Sequence, residues 1–488
     1  MKHTKRRAAL HLGQWILAIG SAIGATLPVQ AQNGPPGVLD PAFGSAGKAI
    51  TDFFGASDQL RAVTPLPDGR FLAAGVVISP NATGNGSSPN VVVARFLPDG
   101  RTDPAFGTAG VFAFDHDGGT DEAHAMTVLS DRSILVSGVI STSSHSDFGL
   151  VKLTPSGALD TRFGQPSGAA RTGYAIVDIA GATFHDEGRY VAVQSDGRIV
   201  IAGMSLVQQG SFRYRRATVA RLTADGQRDT SFGGGTGHIV LPGFYTADPQ
   251  TSDYVTGIAL TQDGRLPAGD GITLVGYTDS RNMAFITRLT RDGQPDTSFA
   301  GTGRITTSSV TSGGQTTGAS VLRGARIDSS GRIVVVGTAN DRGFTFLRYL
   351  ANGAPDTGFG NGGRSLVKLS TISHYDEPRA LALQGNGKIV AAGYASTASA
   401  SGAPQNDFFV VRLQENGFAD PAFGDGQGRT VGRLSELTDE AFALSVEPSG
   451  HILAAGDALR VGTSQDDAAV LRAFGDPDRL FYDGFEQR

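Results

Sequence analysis

The 488-residue sequence contains no cysteine, a single tryptophan, Trp15, and only four methionines. Without thiols the fold has neither disulfides nor thiolate metal sites, so burial and backbone pairing must hold it together. Without tryptophan beyond position 15, the broad aromatic platforms common in sugar-binding sites would have to be tyrosine or phenylalanine. Charge is sparse at 18% of residues. Long apolar runs are missing too, apart from a stretch near the N-terminus between about Trp15 and Leu27. That stretch is shorter than the roughly 20 residues needed to span a bilayer and is interrupted by Gly20 and Gly24.

Lys2, Lys5, Arg6 and Arg7 precede this apolar stretch, and Val29-Gln30-Ala31 follows it with small residues at the −3 and −1 positions of a cleavage site. The pattern is that of a secretory signal peptide ending at Ala31, which predicts an exported chain of extracellular, cell-surface or periplasmic location, with a short linker at 32–37. Removing residues 1–31 takes four of the 41 basic residues and none of the 46 acidic ones, leaving a formal charge of −9. Nucleic acid is an unsuitable partner for such a surface, because phosphate binding rests on positive charge.

Self-similarity dominates the rest. The frame Asp-x-x-Phe occurs seven times, at Asp40-Phe43, Asp103-Phe106, Asp160-Phe163, Asp229-Phe232, Asp296-Phe299, Asp356-Phe359 and Asp420-Phe423, at intervals of 57 to 69 residues. Glycine follows the phenylalanine in six of them, and Ala300 replaces it in the fifth. An acidic pair opens a strand in each unit: Asp58-Gln59, Asp121-Glu122, Asp186-Glu187, Asp253-Tyr254, Asp376-Glu377 and Asp439-Glu440, with Ser320 in the fifth. Ten residues after each comes a turn such as Asp68-Gly69 or Asn386-Gly387, where glycine accepts the positive φ of a tight hairpin. A short apolar strand ending in glycine follows (Phe71 to Gly75, Ile199 to Gly203), and then a strand ending in a basic residue (Arg95, Lys152, Arg221, Arg288, Arg348, Arg412). From that basic residue to the next anchor phenylalanine is always eleven residues.

Four short strands per unit of about 60 residues, without any helical period, describe a β-propeller blade. Seven units predict an all-β, seven-bladed ring of four-stranded antiparallel blades over residues 38–475, with a C-terminal tail at 476–488. A parallel β-helix needs shorter rungs, and a string of separate domains needs linkers that the constant eleven-residue junctions leave no room for. The counting does not say whether the strand after Phe-Gly pairs within its own unit or with the preceding one; in the second case residues 47–54 close the ring against the last basic-ended strand.

The combination of Asp-x-x-Phe-Gly, the run from Asp196 to Gly203 and the Arg-Leu-x-x-Asp-Gly element at Arg221 to Gly226 resembles the Delta-60 bacterial repeat family, over roughly residues 38–475. The resemblance implies a propeller-like repeat domain of exported or surface proteins and carries over no catalytic residue.

Constant junctions on one face and variable loops on the other place any ligand contact on the face of the acidic pairs, since loop variation on a fixed frame is how specificity is usually acquired. The long segments Gly75 to Asn90 and Gly393 to Asn406 belong there. Candidate residues on that face are Asp58, Asp121, Glu122, His124, His185, Asp186, Glu187, His374, Asp376, Glu377, Asp439 and Glu440. The aspartates suit turn-capping by accepting backbone N–H bonds; a ring of carboxylates holding calcium is the alternative. Three histidines beside carboxylates raise the question of an acid–base or metal site, though their units, two, three and six, argue against convergence. No nucleophile elbow, phosphate loop or zinc spacing occurs, so no cofactor and no catalytic residue is assigned. The pattern fits a non-catalytic binding or scaffold module for a protein or cell-surface ligand, with a propeller hydrolase or lyase acting on an extracellular substrate as the alternative.

Overall fold

A computed structural model describes residues 34–476 apart from 81–86, 142–144, 169, 182, 246–249, 262–268, 280–282, 313–314, 341, 371–375, 400–401 and 403. The expected signal peptide, His374 and residues 477–488 of the tail lie outside the described residues. Among those described the only helical turn is Gly233–Gly235; everything else regular is strand.

Among the described residues seven antiparallel four-stranded sheets form the architecture, accompanied by two short two-stranded sheets, Pro166–Ser167 with Ala170–Arg171 and Val310–Ser312 with Gln315–Thr317. In order from the first strand of each sheet, blade 1 is Asp58–Pro65, Phe71–Pro80, Ser87–Phe96 and Val111–Phe114; blade 2 is Glu122–Val128, Ile134–Ser141, Ser146–Leu153 and Tyr174–Val177. Blade 3 is Asp186–Val193, Ile199–Gln209, Phe212–Leu222 and His238–Val240; blade 4 is Asp253–Thr261, Gly271–Thr278, Met283–Leu289 and Arg304–Ser308. Blade 5 is Val321–Ile327, Ile333–Thr338, Phe344–Tyr349 and Arg364–Val367; blade 6 is Asp376–Leu383, Ile389–Ala398, Pro404–Leu413 and Arg429–Gly432. Blade 7 takes Asp439–Val446, Ile452–Leu459 and Asp466–Ala473 from the end of the chain and Lys48–Thr51 from its beginning. The first strand of every blade touches the first strands of both neighbours, so the acidic-pair strands form the inner ring around the axis. The strand after Phe-Gly is the outer edge of the preceding unit's sheet, and residues 48–51 close the ring.

The hydrophobic core is divided like the ring. Seven clusters of buried side chains each draw on two adjacent blades, and each contains one anchor phenylalanine, fully buried. Dividing the core this way lets a 60-residue unit too small to bury its own apolar faces do so against its neighbours.

The basic residue ending each third strand explains the constant eleven-residue junction. Arg95, Arg221, Arg288, Arg348, Arg412 and Arg472 form ion pairs of 2.6 to 2.9 Å with Asp103, Asp229, Asp296, Asp356, Asp420 and Asp40. Lys152 reaches Asp160 at 3.4 Å. Each cation also lies over the anchor ring of the same junction, at 4.5 to 4.9 Å for the six arginines and 5.7 Å for Lys152. Arg95, Arg221 and Arg288 extend Nη1 to the carbonyls of Pro155, Arg291 and Ala351 in the next blade. One motif therefore caps a strand, seats a core ring through a cation–π contact and ties two blades together.

Blade 7 completes this clasp with both ends of the chain. In blade 1 Leu97 donates to the Arg101 carbonyl and Gly100 to that of Leu97, at 2.8 and 3.0 Å. In blade 7 Phe474 donates to Val38 and Gly37 to Phe474, at 2.8 and 2.6 Å, so the same turn is assembled from two segments. No Asp-x-x-Phe-Gly follows Arg472 in the sequence, and Asp40-Pro41-Ala42-Phe43-Gly44 takes that place.

Candidate functional site: the axial polar cluster

The inner strands carry the sequence candidates, and a recurrent irregularity decides where side chains point. Every inner strand has a β-bulge, between Leu60 and Ala62, Ala123 and Ala125, Gly188 and Tyr190, Val255 and Gly257, Leu322 and Gly324, Pro378 and Ala380, and Ala441 and Ala443. A bulge leaves one residue unpaired and re-aims it. Here the seven unpaired residues are Arg61, His124, Arg189, Thr256, Arg323, Arg379 and Phe442.

The glycine expected to end each second strand lies within it, since every second strand continues beyond that glycine, and it is the other half of this device. Gly75, Gly138, Gly203, Gly276, Gly337, Gly393 and Gly456 sit opposite the bulges. A Cβ on any of them would lie within 1.7 to 2.0 Å of the carbonyl oxygen of Gln59, Glu122, Glu187, Tyr254, Val321, Glu377 or Glu440, respectively. Only glycine admits the bulged backbone at that distance.

Most of the bulge residues and several second members of the acidic pairs meet near the axis on the face of the acidic pairs, the cap face; Thr256 instead donates to the Leu322 carbonyl at 2.6 Å. Arg61 pairs with Glu122 at 2.6 Å and approaches His124 Nδ1 at 3.3 Å. Arg189 and Arg215 both bind Glu187, at 3.0 and 2.8 Å, and Arg323 binds Glu377 at 2.6 Å. Arg379 stacks over Tyr394 and Phe442, and Arg323 over Tyr277. Arg189, Arg323 and Arg379, from blades 3, 5 and 6, all act electrostatically on the half-buried phenol of Tyr190. Burial raises that phenol above its usual range.

Ionisation follows from these contacts. A hydrogen bond from His124, with Arg61 alongside, holds Glu122 at about 2 against the cost of burial. Burial, aided by Arg61 and Arg189, pushes His124 down to about 4, so the ring is neutral at neutral pH. Burial opposes ionisation of Glu187 as well, but Arg189 and Arg215 keep it below the carboxylate range. Glu440 is raised by burial although Asn406 donates to it at 2.7 Å.

The first aspartates of the pairs face the other way. Asp58 accepts the Phe53 N–H at 2.7 Å, Asp121 those of His116 and Ser141, Asp186 those of Ile179 and Ala180, Asp376 those of Leu369 and Ser370, and Asp439 those of Leu434 and Ser435. They tie the incoming loop to the inner strand and are buried within separate blades. Of the histidines, His124 joins the axial cluster, whereas His185 contacts Ser146 in the loop region. The four arginines of the bulges were absent from the sequence candidates; their signal is a fixed offset of three residues past each capping aspartate.

Two buried donors in the cluster lack a partner. The Nε–H groups of Arg189 and Arg379 have no hydrogen-bond acceptor among the described residues.

The family comparison agrees with this architecture. Residues 129–163, 194–232, 329–359 and 384–423 match a domain described as "Domain of unknown function (DUF5122) beta-propeller". Those four segments are similar to that domain. They begin near the second-strand turn and end on the anchor phenylalanine, so each covers the middle strands and the clasp of one blade. No curated protein matches the chain. Solved structures similar to it include Sqt1 from Chaetomium thermophilum (11% identity, 88% of this chain and 98% of that one, TM-score 0.38) and the polysaccharide lyase Uly1 (9%, 88% and 93%, 0.39). A third is the GH93 α-L-arabinofuranosidase of Fusarium graminearum in complex with arabinobiose (10%, 87% and 97%, TM-score 0.39).

Proposed function

We propose that the chain is an exported, non-catalytic binding or scaffold propeller whose protein or cell-surface ligand seats on the axial end of the cap face. The observation that carries this reading is the pair of buried, unpartnered Nε–H donors on Arg189 and Arg379. A buried donor without an acceptor costs about 1–3 kcal/mol, and a ligand carboxylate or hydroxyl reaching the axis would recover it. The cluster is otherwise mutually satisfied: Glu122 and Glu187 are held ionised by guanidinium groups and His124 is held neutral. Such groups orient and bind; they are poorly matched to proton transfer near neutral pH, where a catalytic group should titrate.

The test is retention of the full chain on immobilised acidic polysaccharides, neutral polysaccharides and acidic peptides, compared with the double variant Arg189→Gln, Arg379→Gln. Binding to an acceptor-rich surface that weakens at least tenfold in the variant is expected. A ligand held equally by both proteins would move the site away from the axis.

One feature favours the alternative of a hydrolase or lyase. Asp457 lies opposite Glu440 across two paired strands; burial pushes it up to about 7, and Gln59 donates to it at 2.7 Å. A carboxyl titrating there could act as a general acid. Release of reducing ends or unsaturated products from the same polysaccharides, lost in Asp457→Asn, would establish that reading in place of the first.

A further inference from the structure

Three blades pose the same electrostatic problem at the cap face, and only two solve it with arginine. The positions are the residue five before the clasp cation, the residue just past the outer strand and the capping aspartate of the next inner strand. In blade 7 they are Asp467, Asp52 and Asp58, and Arg460 pairs with both Asp467 and Asp52. In blade 6 they are Asp407, Arg433 and Asp439, and Arg433 pairs with Asp407 at 3.0 Å. In blade 2 they are Asp147, Asp178 and Asp186, all of which interact electrostatically, and the basic group beside them is an imidazole, His145, with Nε2 3.1 Å from Asp147 Oδ2.

We propose that His145, Asp147 and Asp178 form a binding site for a divalent transition-metal cation of the zinc or manganese kind. Their ligand atoms lie within 4.8 Å of one another. Two ligands on a tetrahedral ion with bonds of about 2.0–2.1 Å stand roughly 3.3 Å apart, close to the 3.1 Å between the imidazole and Asp147. The second oxygen of Asp147, Oδ1, is buried and has no hydrogen-bond partner among the described residues, while the residue itself is 1% exposed. Neither Asp407 nor Asp467, its counterparts in blades 6 and 7, has such an oxygen. Asp178 is half-buried and leaves a route for an ion, and its Oδ1 accepts the Gly181 N–H at 2.6 Å. One nitrogen and carboxylate oxygens favour zinc or manganese over calcium, which takes oxygen ligands. The ion would do for blade 2 what Arg460 and Arg433 do for blades 7 and 6. The proposal is independent of the axial site.

The experiment is calorimetric titration of the full chain with Zn²⁺, Mn²⁺ and Ca²⁺ at pH 7.5, repeated with Zn²⁺ at pH 5, on the parent, His145→Ala and Asp178→Asn, each checked for an unchanged circular-dichroism spectrum. Expected are saturable binding of one Zn²⁺ or Mn²⁺ per chain, at least 30-fold weaker binding in His145→Ala, at least tenfold weaker in Asp178→Asn, and loss of at least 100-fold at pH 5 as the ligands protonate. The absence of saturable binding of either ion by the parent at pH 7.5 overturns the proposal. Binding of Ca²⁺ alone, or equal Zn²⁺ affinity in parent and variants, overturns it as well. Asp178→Asn keeps the test valid should His145→Ala fail to fold.

Discussion

Arg472 donates from Nε and Nη2 to a single carboxylate oxygen of Asp40, at 2.9 and 2.5 Å, although 432 residues separate them. Together with the strand pairing of Lys48–Thr51, this contact makes a linear chain circular. The same Arg472 lies 4.7 Å over Phe43 and reaches the Pro98 carbonyl of blade 1. Removing the carboxylate leaves a buried guanidinium without its partner, which typically costs about 3–5 kcal/mol. Asp40→Ala is therefore expected to lower the denaturation midpoint substantially, as is Asp103→Ala, the equivalent change in blade 1. Equal midpoints for Asp40→Ala and the parent in urea titrations would show that the clasp is dispensable for closure.

The glycines opposite the bulges make a sharper demand than one at an open hairpin tip. A Cβ on Gly203 would stand 1.9 Å from the Glu187 carbonyl, whereas one on Gly210, at a hairpin tip, meets nothing within 4 Å. Gly203→Ala must displace backbone and is expected to cost about 3 kcal/mol. Gly210→Ala pays only for its positive φ, about 1 kcal/mol. Denaturant midpoints of the two variants check the ordering, and a similar loss in both would mean that the bulge can relax.

Most of the architecture was legible in the sequence because the anchors lie at constant distances: the eleven residues from Arg221 to Phe232 are the clasp, and the ten from Asp186 to Asp196 are the inner strand with its turn. Ring closure was ambiguous for a physical reason. A tandem repeat fixes the order of strands but not the phase at which one sheet ends, and only the pairing of Lys48 with Leu471 sets it. The axial cluster was less legible because a bulge breaks the period-2 rule that assigns side chains to faces. His124 and His185 looked alike beside acidic pairs, yet one sits three residues after its capping aspartate, at the bulge, and the other one residue before it. The recurring glycine of each second strand was visible throughout, but it was read as the strand's end, and what it accommodates was not visible.

The capping aspartates give the stability a direction with pH. Burial, opposed in part by the Phe53 N–H and by Arg460, raises Asp58 to about 7, with Asp52 and Asp467 adding repulsion. Burial likewise raises Asp253 to about 7 and Asp121 to about 6. A carboxyl with a folded-state pKa above its unfolded value binds more protons when folded, so its contribution is complete below about 4 and is lost as pH rises toward 7. The parent should melt at a higher temperature at pH 5 than at pH 8 on account of these groups. Asp58→Asn, which cannot ionise, should flatten that difference, and an unchanged pH profile in the variant would remove Asp58 from the account.

The last described residue belongs to the blade 6 clasp. Asp476 lies in the expected tail, yet its carboxylate contacts Lys388 at 2.5 Å, Arg412 at 3.1 Å and the Asn386 amide at 2.8 Å. Arg412 is fully buried and already paired with Asp420, so Asp476 is its second counter-charge, in the place that Asp292 takes beside Arg221 in blade 3. Hydrogen bonds to charged groups contribute about 1.5–3 kcal/mol each when partly buried. A chain ending at Gly475 should be about 2 kcal/mol less stable than one ending at Asp476, and Asp476→Asn in the full chain should be less stable than the parent. If truncation at Gly475 leaves the same thermal midpoint as truncation at Asp476, the blade 6 clasp is complete with Asp420 alone.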